Sequence, residues 1–209
     1  MKKEEVRAQL YQGLEGVFKA QRFRLNKKEG AFARTVPTGF QKVYVPLMDY
    51  NPVFIFSLTV GLRLDAAEDI FNRFSGATGE GQKLTLTTIT QLSYFTQGRP
   101  AEYKVTTTTE IEAALAGLRG VIDSRIMPFL DQYQDVKSVD IEVNANKTPG
   151  FDSANLLMHA MHSVILARLS GNPGYSAVVT GYKASLDNYV ATEKDKFLRL
   201  VSFLDETPN

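Results

Sequence analysis

An α+β fold follows from three observations. Apolar residues recur at helical spacing over 4–20, they alternate along several short stretches between 22 and 106, and helical periodicity returns from 109 onward. The expected architecture is an N-terminal helix and an antiparallel sheet of about five to six strands, packed against a mainly helical C-terminal half. We read 1–209 as one domain, with 1–107 the helix plus sheet and 108–209 the helical portion.

Each element has its own signal. Val6, Leu10, Leu14, Val17 and Phe18 make an amphipathic helix of 4–20. Apolar residues then alternate in Arg22-Phe23-Arg24-Leu25-Asn26, as in a half-buried strand. Lys27-Lys28-Glu29-Gly30 is a hairpin turn into a second strand, Ala31–Val36, and a third strand covers about Phe40–Leu47. Asp49-Tyr50-Asn51-Pro52 has turn composition. The strand after it, Val53–Leu64, has the strongest pattern: Phe54, Phe56, Leu58, Val60, Leu62 and Leu64 share one face.

Asp65 and Glu68 have capping-box spacing at the start of a short helix ending at Phe74. Residues 75–82 read as a Gly-rich connector, followed by Thr-rich strands at Leu84–Phe95 and near Tyr103–Thr106. A capping box at Thr109–Glu112 opens a helix running to about Tyr133, which Pro128 should kink or end. Leu130–Val143 is helical or mixed, and Asn144–Gly150 a loop. A helix over Asp152–Ser170 stops at Gly171. The next begins at Asn172-Pro173 and carries a stripe of Tyr175, Val178, Val179, Tyr182, Leu186, Tyr189 and Val190, with a break near Thr192.

Composition narrows the chemistry. The chain has no cysteine and two histidines, so disulfide frameworks, thiolate catalysis and zinc-finger logic are excluded. No motif sets a nucleophile beside a base. The N-terminus lacks the apolar stretch of a secretory signal, and no run approaches the roughly 18 apolar residues of a spanning helix, which predicts a cytoplasmic protein without membrane contact. Net charge is +1, yet residues 1–50 hold ten Lys/Arg against five acids.

Four groups are candidate sites. His159 and His162 stand three apart on one helix, the spacing of a metal pair, but no third ligand accompanies them and they fall on the polar face. Gly76, Gly79, Gly81 and Lys83 have part of a phosphate loop, but a helix precedes them and a strand follows, the reverse of what phosphate needs. Asp131, Asp135, Asp140 and Glu142 could do acid–base work in a pocket, hold Mg²⁺ or Ca²⁺, although no calcium-loop pattern with its Gly is present, or line a wet face. Arg22, Arg24, Lys27, Lys28 and Arg34 flank Phe23 and Phe32, as in single-strand binders, although no known RNA-module pattern is present and the phenylalanines suit a core. Nucleic acid is therefore not the expected partner.

One order of residues resembles a known family. A terminal helix is followed by Phe23 with basic neighbours, Phe32-Ala33-Arg34, Gln41, and then Phe56-Ser57-Leu58-Thr59-Val60-Gly61. It is similar to a bacterial family defined as a domain of unknown function, whose members follow a helix, Gly-Phe with lysines, a Phe-x-Arg strand, a strand carrying Gln and a Phe-x-Val-x-Leu-Gly-like strand. The resemblance covers about residues 5–64, and Arg22 stands where that family has Gly. Some members look like they travel with toxin genes, so the resemblance implies an immunity or inhibitor role.

The expected function is accordingly that of a non-enzymatic module with a protein partner, offering the Thr-rich strand (Thr85, Thr87, Thr88, Thr90) as a polar face. No catalytic residue and no cofactor are assigned. The alternative is a small-ligand binder or enzyme with a pocket between sheet and helices, lined by Tyr44, Arg63, Tyr94 and His159.

Overall fold

The computed structural model describes residues 1–147, 151 and 155–207. It opens with α1 (Lys3–Ala20), followed by strands β1 (Arg24–Asn26), β2 (Ala31–Val36), β3 (Gly39–Tyr44), β4 (Leu47–Tyr50), β5 (Val53–Phe56) and β6 (Thr59–Leu64). Helix α2 (Asp65–Phe74), 3-10 turns at Gly79–Leu84, β7 (Thr88–Gln91), the single turn α3 (Leu92–Phe95) and β8 (Tyr103–Val105) come next. The rest is helical: α4 (Thr108–Val121), α5 (Met127–Gln132), α6 (Val136–Asp140), α7 (Leu156–Leu169), α8 (Tyr175–Ser185) and α9 (Ala191–Glu206). The class is α+β, with one sheet ordered β1-β2-β3-β6-β7 and a smaller one ordered β4-β5-β8. None of the described helices is long and apolar enough to cross a membrane.

The residues group into two compact units. The first comprises 1–62 and 90–132, the second 63–89 and 133–209. The helices over 108–132 thus belong with the sheet rather than with the later helices.

In the first unit, α1 buries Val6, Leu10, Leu14 and Phe18. Phe18 stacks on Phe32 at 4.4 Å, and Phe23 leans on Phe18 at 5.5 Å. The hairpin forms as read, with Leu25 opposite Phe32. Its turn is held by Asn26 Oδ1, which accepts from the N–H groups of Lys28 and Glu29, while Gly30 takes a φ of 68°. Helix α1 lies against α4, and the close approach is at Gly13, where an added Cβ would come within 2.4 Å of Leu115 Cδ1. At Gly16 on the same helix a Cβ would meet nothing within 4 Å. Gly16→Ala is therefore expected to stabilise by roughly 0.5–1 kcal/mol through helix propensity. Gly13→Ala should instead cost about 1–3 kcal/mol by overpacking Leu115. Urea unfolding of the two variants side by side measures both.

Several boundaries differ from the sequence reading. Val53–Leu64 is not one strand: it divides at Ser57-Leu58 into β5 and β6, which join different sheets. The dividing backbone bonds outside the ladders, Ser57 N–H to the Pro46 carbonyl and the Leu58 carbonyl from Leu92 N–H. The strand expected over Leu84–Phe95 shrinks to β7. Its neighbours' hydroxyls compete for the backbone, Thr87 Oγ1 accepting from Leu64 N–H at 2.9 Å and Thr85 Oγ1 donating to the Gln82 carbonyl at 2.9 Å. The capping box of α4 lies two residues earlier than read. Thr107 Oγ1 accepts from Glu110 N–H, and Glu110 Oε2 returns a bond to Thr107 N–H. Pro128, having no N–H to give, is passed by a π-turn over Ile122–Ile126 that joins α4 to α5.

In the second unit α7 is the central element, in contact with α2, α6, α8 and α9. It buries Leu157 and every residue from Ala160 to Ala167. A helix apolar nearly all round is a buried helix. That is why His162 and Ser163, read as part of a polar face, do not meet solvent, whereas Asn155 is exposed and His159 half-buried. Helix α8 starts at Tyr175 instead of Pro173, because Asn172 Oδ1 accepts from Gly174 N–H and closes a turn there. The break near Thr192 falls in the link between α8 and α9. The loop expected over Asn144–Gly150 begins as a π-turn, Ile141–Asn146, and residues 148–150 and 152–154 lie outside the described residues.

Candidate functional site

The second unit contains a cavity of about 530 Å³. One wall is the π-turn, which contributes Val143, Asn144 and Ala145, with Lys147 beyond it. The opposite wall is a stripe of α8 at helical spacing: Ala177, Val178, Gly181, Tyr182 and Ser185. Phe151, His159, Asn172 and Gly174 complete it. The α8 stripe opens at its small residues, Ala177, Gly181 and Ser185. A Cβ added to Gly181 would meet no atom within 4 Å. This corrects the stripe read from sequence. Val179 and Leu186 are buried, whereas Val178 and Tyr182 are half-buried in the cavity wall and Val190 is 65% exposed.

Two polar groups of the wall, Asn144 and Asn172, are tied to one buried carboxylate. Asp140, 3% exposed, accepts from Asn144 Nδ2 at 2.7 Å, Ser170 Oγ at 2.8 Å and Asn172 Nδ2 at 2.8 Å. All three donors are neutral. Beside it, Glu142 is buried and accepts from Tyr133 Oη and Asn146 Nδ2, both at 2.9 Å. Ser163 Oγ donates to Tyr182 Oη at 3.2 Å, and the His159 ring meets the Tyr182 ring edge-on at 5.6 Å.

The acidic stretch is therefore only in part a wet face, with Asp131 and Asp135 exposed. Asp140 and Glu142 are interior groups, and Asp135 caps α6 through Ser138 N–H, a bond that holds its carboxyl below the ordinary range. Asp131, in the first unit, pairs with Arg34 at 2.5 Å.

A second cluster in this unit joins Glu68 to His162. The ion-pair oxygen Glu68 Oε1 lies 2.9 Å from His162 Nε2 and accepts from Thr87 Oγ1 at 2.8 Å. His162 Nδ1 lies 3.0 Å from the Met158 carbonyl, which can only accept, so that nitrogen carries its hydrogen. One further proton is then held between Nε2 and Oε1. Phe71 stacks on the imidazole at 4.1 Å. Burial acts to raise the Glu68 carboxyl, but the hydrogen bond and charge of His162 outweigh it and hold the group below the ordinary range. Two expectations are corrected here. His162 is 2% exposed rather than on a surface, and both its ring nitrogens are engaged, so it is not poised as half of a metal pair. Glu68 does not cap α2: it is buried, and the helix has no side-chain cap. Among the described residues no cluster of three His, Cys, Asp or Glu is placed to hold a metal ion.

The four residues read as a pocket divide between the units, Tyr44 and Tyr94 in the first and Arg63 and His159 in the second. Tyr44 borders a hollow of the first unit with Tyr11, Glu29 and Gly30, where burial and then Glu29 raise its hydroxyl. Tyr94, also in the first unit, packs edge-on to Phe95 and Phe129. Arg63, in the second, is spent on Asp65 and on the carbonyls of Gln82 and Thr85, which anchors the Gly-rich segment. His159 alone among them lies in the 530 Å³ cavity.

Of the basic group, Phe23 and Phe32 are core residues. Arg34 bonds Gln41 at 2.6 Å and stacks over Phe23, so the aromatics offer no platform for bases. The threonine run is likewise inward. Thr87, Thr88 and Thr90 are buried at 1% or less, and Thr85 is half-buried with its hydroxyl on Arg63 and Asn72, so no exposed threonine face remains for a partner. No family model, curated protein or solved structure matches this chain.

Proposed function

We propose that this protein binds a small amphipathic molecule in the cavity between α8 and the π-turn at Ile141–Asn146. The observation that carries this reading is the cavity itself. Its volume falls in the range of small-ligand sites, roughly 300–1,000 Å³, and like them it combines apolar walls with a few placed polar groups. Val143, Phe151 and Val178 supply the apolar part; Asn144, His159 and Tyr182 supply the polar part. The π-turn adds support, since π-turns within helices recur at functional sites. The protein-partner reading offered a threonine face as its surface, and burial of those side chains removes that surface.

Gly181 provides the test. Gly181→Leu fills the cavity from α8, and leucine is the better helix former, so the fold is expected to hold. A panel of small aromatic and aliphatic acids, amides and alcohols is titrated at millimolar concentration into isotope-labelled protein and followed by NMR. The expected result is resonance shifts confined to Val143–Lys147 and Ala177–Ser185 for some panel members, absent in Gly181→Leu. A panel with no member producing such shifts overturns the reading.

A further inference from the structure

We infer that Asn144 sets the chemistry of the molecule bound: it is an obligate acceptor, and the cavity is built for a neutral N–H donor of the carboxamide class. The inference rests on the ligand-binding reading above and specifies its ligand.

A side-chain amide offers two hydrogens and one oxygen. Both hydrogens of Asn144 are committed, one to Asp140 Oδ1 at 2.7 Å and one to the Ser163 carbonyl at 2.9 Å. Each partner is an acceptor without a hydrogen to give. Turning the amide over would set Asn144 Oδ1 against two oxygens, so its orientation is fixed by its neighbours. Asp140 is itself immobilised by Ser170 and Asn172, which bond its Oδ2. What Asn144 has left is Oδ1, and among the described residues no protein donor reaches it.

The other amide in the wall has its oxygen spent. Asn172 gives Nδ2 to Asp140 and receives Gly174 N–H on Oδ1 at 2.7 Å. Among the described residues Asn144 is therefore the amide of the wall whose oxygen is left to accept. Donation to a buried carboxylate draws electron density onto the amide oxygen, which makes it a stronger acceptor. Among the described residues Lys147 is the cation of the lining and no carboxylate belongs to it, which disfavours an ammonium and favours a neutral N–H.

Two probes of one shape separate donor from acceptor: benzamide and methyl benzoate, titrated into the full-length protein by NMR. Benzamide is expected to bind about tenfold more tightly, the worth of one hydrogen bond of about 1.4 kcal/mol. Its strongest shift should fall on the Asn144 side-chain amide. Asn144→Leu should bring the two affinities together while the Ala177–Ser185 shifts persist. If both probes bind the wild type alike, or the ester binds better, the Asn144 assignment is overturned and the ligand-binding reading stands. If neither probe perturbs the cavity, the inference falls, and the wider panel with Gly181→Leu decides the reading beneath it.

Discussion

His162→Ala is expected to destabilise the second unit by about 3–5 kcal/mol, the cost of stranding one member of a buried ionic pair. Glu68 is fully buried, and without the imidazole it keeps only neutral hydroxyl donors such as that of Thr87. Oε2 already lacks a hydrogen-bond partner among the described residues. The Phe71 ring would also lose the surface it stacks on. The charge and the cavity are separated by a second variant. Glu68→Leu combined with His162→Leu removes both polar partners at similar volume and should recover most of the loss, because an apolar pair in a dry site is often as stable as the ionic one. Urea unfolding followed by circular dichroism measures the cycle. A His162→Ala protein within 1 kcal/mol of wild type, on the order of an exposed substitution, would mean the pair is not held as described.

The same pair gives a pH dependence. Glu68 is held below its ordinary pKa in the folded chain. Its contribution is therefore fully present above the unfolded carboxyl range, near 4.3, and is lost as pH falls through the lower folded value. Stability should decline on acidification below about pH 4.5, and the decline should be shallower in the double-leucine variant.

How much of this was legible depends on what each residue's neighbours could reveal. Helix α1 and the 24–36 hairpin were readable because period and turn chemistry agreed there. Glu68 was misread because Asp65-x-x-Glu68 has the spacing of a capping box. A competing signal was present in the same letters. Leu64, Ala67, Glu68 and Phe71 form an i, i+3, i+4, i+7 stripe, with an acid at an apolar position. Met158, Met161, His162 and Ile165 repeat that stripe with an imidazole. Two apolar stripes, each interrupted by one ionisable group of opposite sign, are a signature of a buried pair that the reading of α7 as two-faced obscured. The threonines of 85–90 were ambiguous in a different way. Thr suits either side of a pleat, and burial was decided by packing that local sequence does not encode. The cavity left least trace. A π-turn has no compositional marker, and Gly181 and Ala177 read as ordinary helix residues until their stripe is seen to face space.

Asp140→Ala is the second large effect expected, and it joins stability to binding. Hydrogen bonds to a charged acceptor contribute about 1.5–3 kcal/mol each, and three converge on this carboxylate. They share one acceptor and do not add, so the loss should be about 3–4 kcal/mol. Asp140→Asn should cost about 2 kcal/mol, since one oxygen remains to accept while the new amide faces a donor. Stability alone would not distinguish a structural acid from one that sets the cavity's polarity. The benzamide preference does. With Asp140 neutralised, the Asn144 amide is no longer held by a charge, its flipped orientation becomes accessible, and the preference of benzamide over methyl benzoate should contract toward parity in Asp140→Asn under conditions where that variant remains folded. A preference undiminished in the folded variant would show that Asn144 is oriented by the Ser163 carbonyl alone, and Asp140 would then be an element of packing.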